Sequence, residues 1–126
     1  MDRWIGLKRW GPALIVMGLI FAASSIPSDS MPKVENFDTL VKKGGHMLGY
    51  ALLGLSLIHA QRQLTWKSFW LAVLGCALYA LSDELHQSFI PGRNASLVDV
   101  VIDLTGCLVG LWIFRRIPLL KRVVLQ

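Results

Sequence analysis

Sorted into apolar and polar positions, the chain falls into four hydrophobic runs separated by short polar stretches. The first covers Trp10 to Ile26 (WGPALIVMGLIFAASSI), and the second covers His46 to Ala60. That second run is short for a membrane span unless Gly44 and Gly45 extend it to 44–60. The third covers Ser68 to Asp83 and the fourth Leu97 to Phe114. A helix crossing a bilayer needs roughly 20 mostly apolar residues, within a range of about 17 to 25, so each run has about the length of one span. The pattern predicts an all-α protein: one integral membrane bundle of four transmembrane helices, occupying residues 1–126 as a single domain.

Composition agrees with that reading. Hydrophobic residues make up 54% of the 126 positions, and the mean hydropathy of +0.53 exceeds what a small soluble domain carries. Lys and Arg placement sets the expected orientation. Arg3, Lys8, Arg9, Arg62, Lys67, Arg115, Arg116, Lys121 and Arg122 fall on one side of a four-span bundle, and Lys33, Lys42, Lys43 and Arg93 on the other. Nine against four predicts that both termini lie in the cytoplasm. Trp4, Trp10, Trp66, Trp70 and Trp112 fall near the same side, as interfacial anchors do. A rival reading of the first run, a cleavable leader ending in small residues at Ala22 to Ser25, leaves the orientation of the rest unchanged.

The acidic residues are distributed the other way. Asp2 is expected inside, while Asp29, Glu35, Asp38, Asp83, Glu84, Asp99 and Asp103 lie outside or at outer helix ends. Acids contribute little to topology, so this asymmetry predicts a binding or catalytic site at the outer face. The basic pI of about 9.6 suits contact with anionic lipid, and no nucleic-acid motif is present. Cys76 and Cys107 fall mid-span and are read as small packing residues.

Residues four apart share a helix face. By that rule Asp83 pairs with Gln87, Asp99 with Asp103, and His46 with Tyr50, each pair near the outer end of a different helix. Asp103 lies about two turns inside its span and needs a partner, which Arg93, Lys43 or His46 can supply. The stretch SLVD, Ser96 to Asp99, fits a capping box in which the acid reaches back to the cap. Gly106 and Gly110 form a G-x-x-x-G on the face of the two acids, allowing close helix approach. Pro91 and Gly92 predict a turn that holds Arg93 over the bundle mouth, where it can grip a phosphate or carboxylate. Ser24 and Ser25 end the first span at the same face. Carboxylates with a histidine and no thiolate suit a hard divalent cation such as Mg²⁺, although no recognised metal-ligand spacing is present.

These residues together resemble a known family. The run KKGGHMLGYALLG followed by SDELHQSFIPGRNASLVDVVIDLTGCLVG is similar to the VanZ-like membrane proteins. Their pattern is a Lys, a His and Tyr four apart, D-E-x-x-Q, an Arg after a turn, and two Asp four apart before a Gly. By position these are Lys43, His46, Tyr50, Asp83, Glu84, Gln87, Arg93, Asp99, Asp103 and Gly106, and Ser24 and Ser25 resemble the family's serine pair. The resemblance implies a membrane protein of the bacterial cell envelope. The family is named for a protein associated with resistance to the glycopeptide teicoplanin.

Two functional readings follow. In one, a non-catalytic module binds a membrane lipid, peptide or lipid-linked envelope molecule through Lys43, Tyr50, Gln87, Arg93, Ser24 and Ser25. In the other, an enzyme works on a lipid phosphate or cell-wall precursor, with His46, Asp83, Glu84, Asp99 and Asp103 exchanging protons or holding a cation. A transporter is the poorer third, because four short spans leave little room for alternating access unless the chain forms a homo-oligomer.

Overall fold

The computed structural model describes residues 3–27 and 37–126. Lys33, which entered the orientation argument, and Asp2, Asp29 and Glu35, which entered the acidic asymmetry, lie outside the described residues. The described chain is helical: α1 (Arg3–Ser24), α2 (Phe37–Gln61), α3 (Trp66–Gln87), α4 (Leu97–Arg116) and a short α5 (Pro118–Val124). The first four correspond to the four hydrophobic runs, each longer than the run at one end or both. Helix α1 starts seven residues before Trp10, and α2 starts well before Gly44.

By length and composition α1, α3 and α4 are able to cross a membrane. Helix α2 falls short on hydropathy because His46, Tyr50, His59 and several glycines dilute its apolar content. Packing explains why it tolerates them. It touches α1, α3, α4 and α5, so its polar positions are sheltered by protein.

The bundle is apolar on the outside as well as within. Ile15, Leu19, Leu48, Leu74 and Val101 each stand more than half exposed, a surface suited to lipid contact. The core runs through Ala13, Tyr50, Leu53, Ala72, Cys76, Cys107 and Leu111. Both cysteines are buried and unbridged, in keeping with a packing role.

Helices consecutive along the chain alternate in direction. Met47 and Ala51 of α2 face Gly106 and Gly110 of α4, so these two helices run parallel. Met17 and Ser24 of α1 likewise meet Tyr79 and Asp83 of α3. The α2–α4 seam is the most extensive contact, and glycine makes it so. A Cβ on Gly106 would collide with the Met47 backbone, standing 2.6 Å from its Cα, and one on Gly110 would stand 2.7 Å from the Ala51 Cβ. The expected G-x-x-x-G approach is realised in this seam. It brings the first half of α4 against the first half of α2.

Candidate functional site

Four chain segments converge at one end of the bundle: the last turns of α1 and α3, the first half of α2, and the start of α4. The α3–α4 connection is built as its residues dictate. Arg93 N–H donates to the Ile90 carbonyl at 3.2 Å, closing a four-residue turn with Pro91 second and Gly92 third. Gly92 has φ 76°, the left-handed geometry a type II turn requires there.

Arg93 then reaches back over the bundle. Its Nε donates to the Ile26 carbonyl (3.0 Å), Nη2 to the Ala23 carbonyl (3.2 Å) and Nη1 to Gln87 Oε1 (3.0 Å). The first two bonds reach carbonyls at and just beyond the end of α1, and the Ala23 carbonyl also accepts from Ile26 N–H at 3.4 Å. Among the described residues three of the five guanidinium N–H donors are used.

The expected capping box at Ser96 is not formed as predicted. Ser96 does cap α4, but its hydroxyl accepts from Val98 N–H at 3.2 Å, one residue earlier than expected. Its own N–H donates to Glu84 Oε2 at 2.8 Å rather than to Asp99. A carboxylate from α3 has displaced the local acid, because the fold holds Glu84 directly against the cap. Asp99 is thereby released to line the pocket.

Beneath Arg93 lies a relay of side chains. Gln87 Nε2 donates to Asp83 Oδ2 (3.1 Å) and Ser24 Oγ (3.3 Å), and Ser24 Oγ donates to Asp83 Oδ2 (2.9 Å). The Asp83–Gln87 pair read from spacing is therefore a direct hydrogen bond, and Gln87 orients the carboxylate while Arg93 orients Gln87. Across from it, His46 Nδ1 stands 3.3 Å from Asp103 Oδ1. Of the three partners the sequence offered Asp103, the structure places His46 against it.

Several oxygens in this layer lack hydrogen-bond partners among the described residues. These are Asp83 Oδ1, Glu84 Oε1, both carboxylate oxygens of Asp103 and the Tyr50 hydroxyl, although their residues are 3%, 6%, 1% and 0% exposed respectively. Leaving a buried polar group unsatisfied costs about 1–3 kcal/mol, and more for a charged one. Each such group calls for an explanation, a bound water, an ion or a catalytic role among them, and here they are gathered in one layer.

A pocket of about 130 Å³ opens above them, lined by Lys42, Lys43, His46, Glu84, Arg93 and Asp103, with Gln87 and Asp99 beside them. Thr39 and Ile102 also contribute, and neither they nor Lys42 are singled out by the sequence pattern above. The signal existed for two of the three: Thr39, Lys42, His46 and Tyr50 follow one another at helical spacing of three or four. A second, more apolar cleft of about 290 Å³ adjoins the pocket between α1 and α2. It is lined by Leu19, Ile20, Ala23, Ile26, Val41 and Gly49, and it shares Lys42, His46 and Arg93 with the pocket.

Not every candidate enters this arrangement in the same way. Tyr50 is wholly buried below the pocket, its ring 6.4 Å from that of His46 and 6.2 Å from that of Tyr79. Ser24 belongs to the relay, whereas Ser25 faces His86 at 2.9 Å. Ser25 Oγ also donates its one proton to the Phe21 carbonyl at 2.7 Å. His86 Nε2 is therefore the donor in that contact, and its ring stacks on Phe21 at 4.4 Å. This pair ties the end of α1 to α3 and does not have the polarity of an activated serine.

A model of the VanZ/LLP1 family matches residues 10–121, a stretch that contains every residue of the pocket. No curated protein matches the chain at a significant level. The same is true of the solved structures.

Proposed function

The chain belongs to the VanZ/LLP1 family, and from that premise we propose that its pocket binds the anionic headgroup of a lipid or lipid-linked envelope molecule. In this reading all four long helices cross the bacterial cytoplasmic membrane. Both termini face the cytoplasm and the pocket faces outward. The excess of Lys and Arg on the side opposite the pocket, and the five tryptophans there, support that orientation.

One observation carries the reading: the polar pocket, with Lys42, Lys43 and Arg93 in its lining, adjoins the apolar cleft, and the two share Lys42, His46 and Arg93. A ligand with a charged head and a long apolar tail matches both at once. Arg93, with Lys42 and Lys43, suits a phosphate. The tail would lie between α1 and α2. A lipid-bearing glycopeptide such as teicoplanin offers an apolar tail to the same cleft, which is how a link to resistance would arise.

The test is native mass spectrometry of protein extracted gently from its host membrane. Wild type should carry a phosphorylated lipid. The Lys42→Gln/Lys43→Gln double variant removes two headgroup cations, and Ala23→Phe fills the cleft; each should lower lipid occupancy several-fold without loss of folded protein. Bare wild type, or variants that retain lipid fully, would remove the basis for the reading.

A second reading, a membrane-embedded enzyme acting on a lipid phosphate, is favoured by the unpartnered carboxylate oxygens of Asp83, Glu84 and Asp103 gathered below the headgroup position. Its measurement is release of inorganic phosphate from vesicles containing a lipid phosphate. Activity is expected from wild type and not from Glu84→Gln, whose amide oxygen still accepts from Ser96 N–H and so preserves the fold.

A further inference from the structure

We infer that His46, Asp83 and Asp103 form a binding site for one divalent metal ion, set in the floor of the pocket. A ring nitrogen of His46 and one carboxylate oxygen from each aspartate all lie within 4.8 Å of one another. The three residues come from α2, α3 and α4, which the glycine seam and the relay hold in register. An ion takes its donors at about 2.0–2.2 Å, so donors around it stand roughly 3–3.5 Å apart. That is the separation already present between His46 Nδ1 and Asp103 Oδ1. Asp83 supplies the third donor, within 4.8 Å of both.

Three features beyond proximity point to a cation. First, the donors are unspent. Asp103 is 1% exposed, its Oδ1 facing His46 Nδ1 at 3.3 Å and its Oδ2 without a hydrogen-bond partner among the described residues; Asp83 is 3% exposed, with Oδ2 accepting two bonds and Oδ1 none among those residues. Second, the surroundings orient the ligands without consuming them. Ser24 and Gln87 both grip Oδ2 of Asp83 and leave Oδ1 without a partner among the described residues, in the manner of groups that support metal-bound carboxylates. Third, the carboxylates are buried. Asp83, Glu84 and Asp103 are at most 6% exposed, and the lysines and arginine of the pocket make no direct ion pair with any of them among the described residues. Carboxylates held away from water are costly in the membrane unless paired, and a divalent ion pairs Asp83 and Asp103 at once.

The donor set indicates the class of metal. Mg²⁺ favours an all-oxygen octahedral shell and keeps several waters. Imidazole beside carboxylates suits a borderline first-row ion, Zn²⁺ or Mn²⁺. Three protein ligands leave coordination positions open toward the pocket, where the oxygen of a water or of a bound phosphate can enter. The site goes beyond the headgroup reading and does not depend on it.

The experiment is metal analysis of tag-free protein in detergent, loaded with Zn²⁺ or Mn²⁺ and freed of excess by gel filtration. About one ion per chain is expected in wild type. Asp103→Asn and His46→Gln should each lower the bound metal more than tenfold while eluting as folded, monodisperse protein. Asp99→Asn, a pocket acid outside the trio, should retain it. Where Asp103→Asn fails to fold, His46→Gln decides, because its side chain is 21% exposed and its loss is better tolerated. A chelator should lower the melting temperature of wild type by several degrees and leave His46→Gln unmoved. Wild type that holds no metal, or metal retained by both ligand variants, overturns the inference. Lipid content in the same preparations reports on the headgroup reading separately, so either can fail alone.

Discussion

At the pocket end of the bundle, charged and polar side chains turn inward and meet one another. Asp83 receives Ser24 and Gln87, Gln87 receives Arg93, and His46 stands against Asp103. At the opposite end the polar groups answer mainly to backbone. Arg9 donates from Nε and Nη2 to the Ala60 carbonyl at 3.0 and 2.7 Å, closing the end of α2, and His59 meets the Val124 carbonyl. Gln61 donates to the Leu57 and Ser68 carbonyls, and Thr65 and Ser68 form the capping box of α3. Arg116 lies over the Trp112 ring, 5.2 Å away, and Trp4 and Trp66 stand exposed. Both ends are rich in hydrogen bonds. They differ in what is left over: at the capped end the polar groups complete helix termini, whereas at the pocket end buried carboxylate oxygens remain unsatisfied. Charge at a helix end does not distinguish the two ends of this fold, whereas buried acceptors without partners do.

The comparison is broken most completely by separating the helices that make the pocket. Gly106→Val places a branched side chain where a Cβ alone would already collide with the Met47 carbonyl. Backbone must move, so Asp103 leaves His46 and the folded, monodisperse protein should be largely lost on gel filtration. The next effect is smaller. Arg93→Ala removes three charge-assisted bonds between α1, α3 and the turn, and should destabilise by about 2–4 kcal/mol, since each such bond contributes about 1.5–3 kcal/mol at most and part is recovered by water. Thermal unfolding in detergent measures it, and Arg93→Lys should recover only part of the loss because a lysine cannot reach all three acceptors. The smallest effect belongs to the capped end. Thr65→Ala removes the N-cap of α3 and should cost about 1 kcal/mol, leaving lipid and metal content unchanged. Loss of either ligand in this variant would mean that the two ends are not independent.

Much of the architecture is legible in the order of residues. The four hydrophobic runs are the four long helices, the turn at Pro91–Gly92 takes the geometry those two residues favour, and Gly106 and Gly110 make the close seam. Asp83 and Gln87 meet as their spacing requires. The departures share one character. The box at Ser96 looks complete from local spacing, yet Glu84, twelve residues away, supplies its carboxylate. Ser24 and Ser25 look like one feature, and the turn of roughly 100° between adjacent helical residues sends one to Asp83 and the other to His86. The short α5 lies beyond the last hydrophobic run, where hydropathy gives no sign of it.

The sequence by itself determined which segments are helical, which faces are apolar and which polar residues share a face, because periodicity, turn chemistry and hydropathy are properties of neighbours along the chain. Tertiary structure alone decided which charges meet. The choice of His46 for Asp103 over Lys43 or Arg93, and the gathering of His46, Asp83 and Asp103 within reach of one ion, depend on how far apart three helices stand and how each is rotated. Those distances are set where Gly106 and Gly110 let α4 settle onto α2, a contact between residues nearly sixty positions apart.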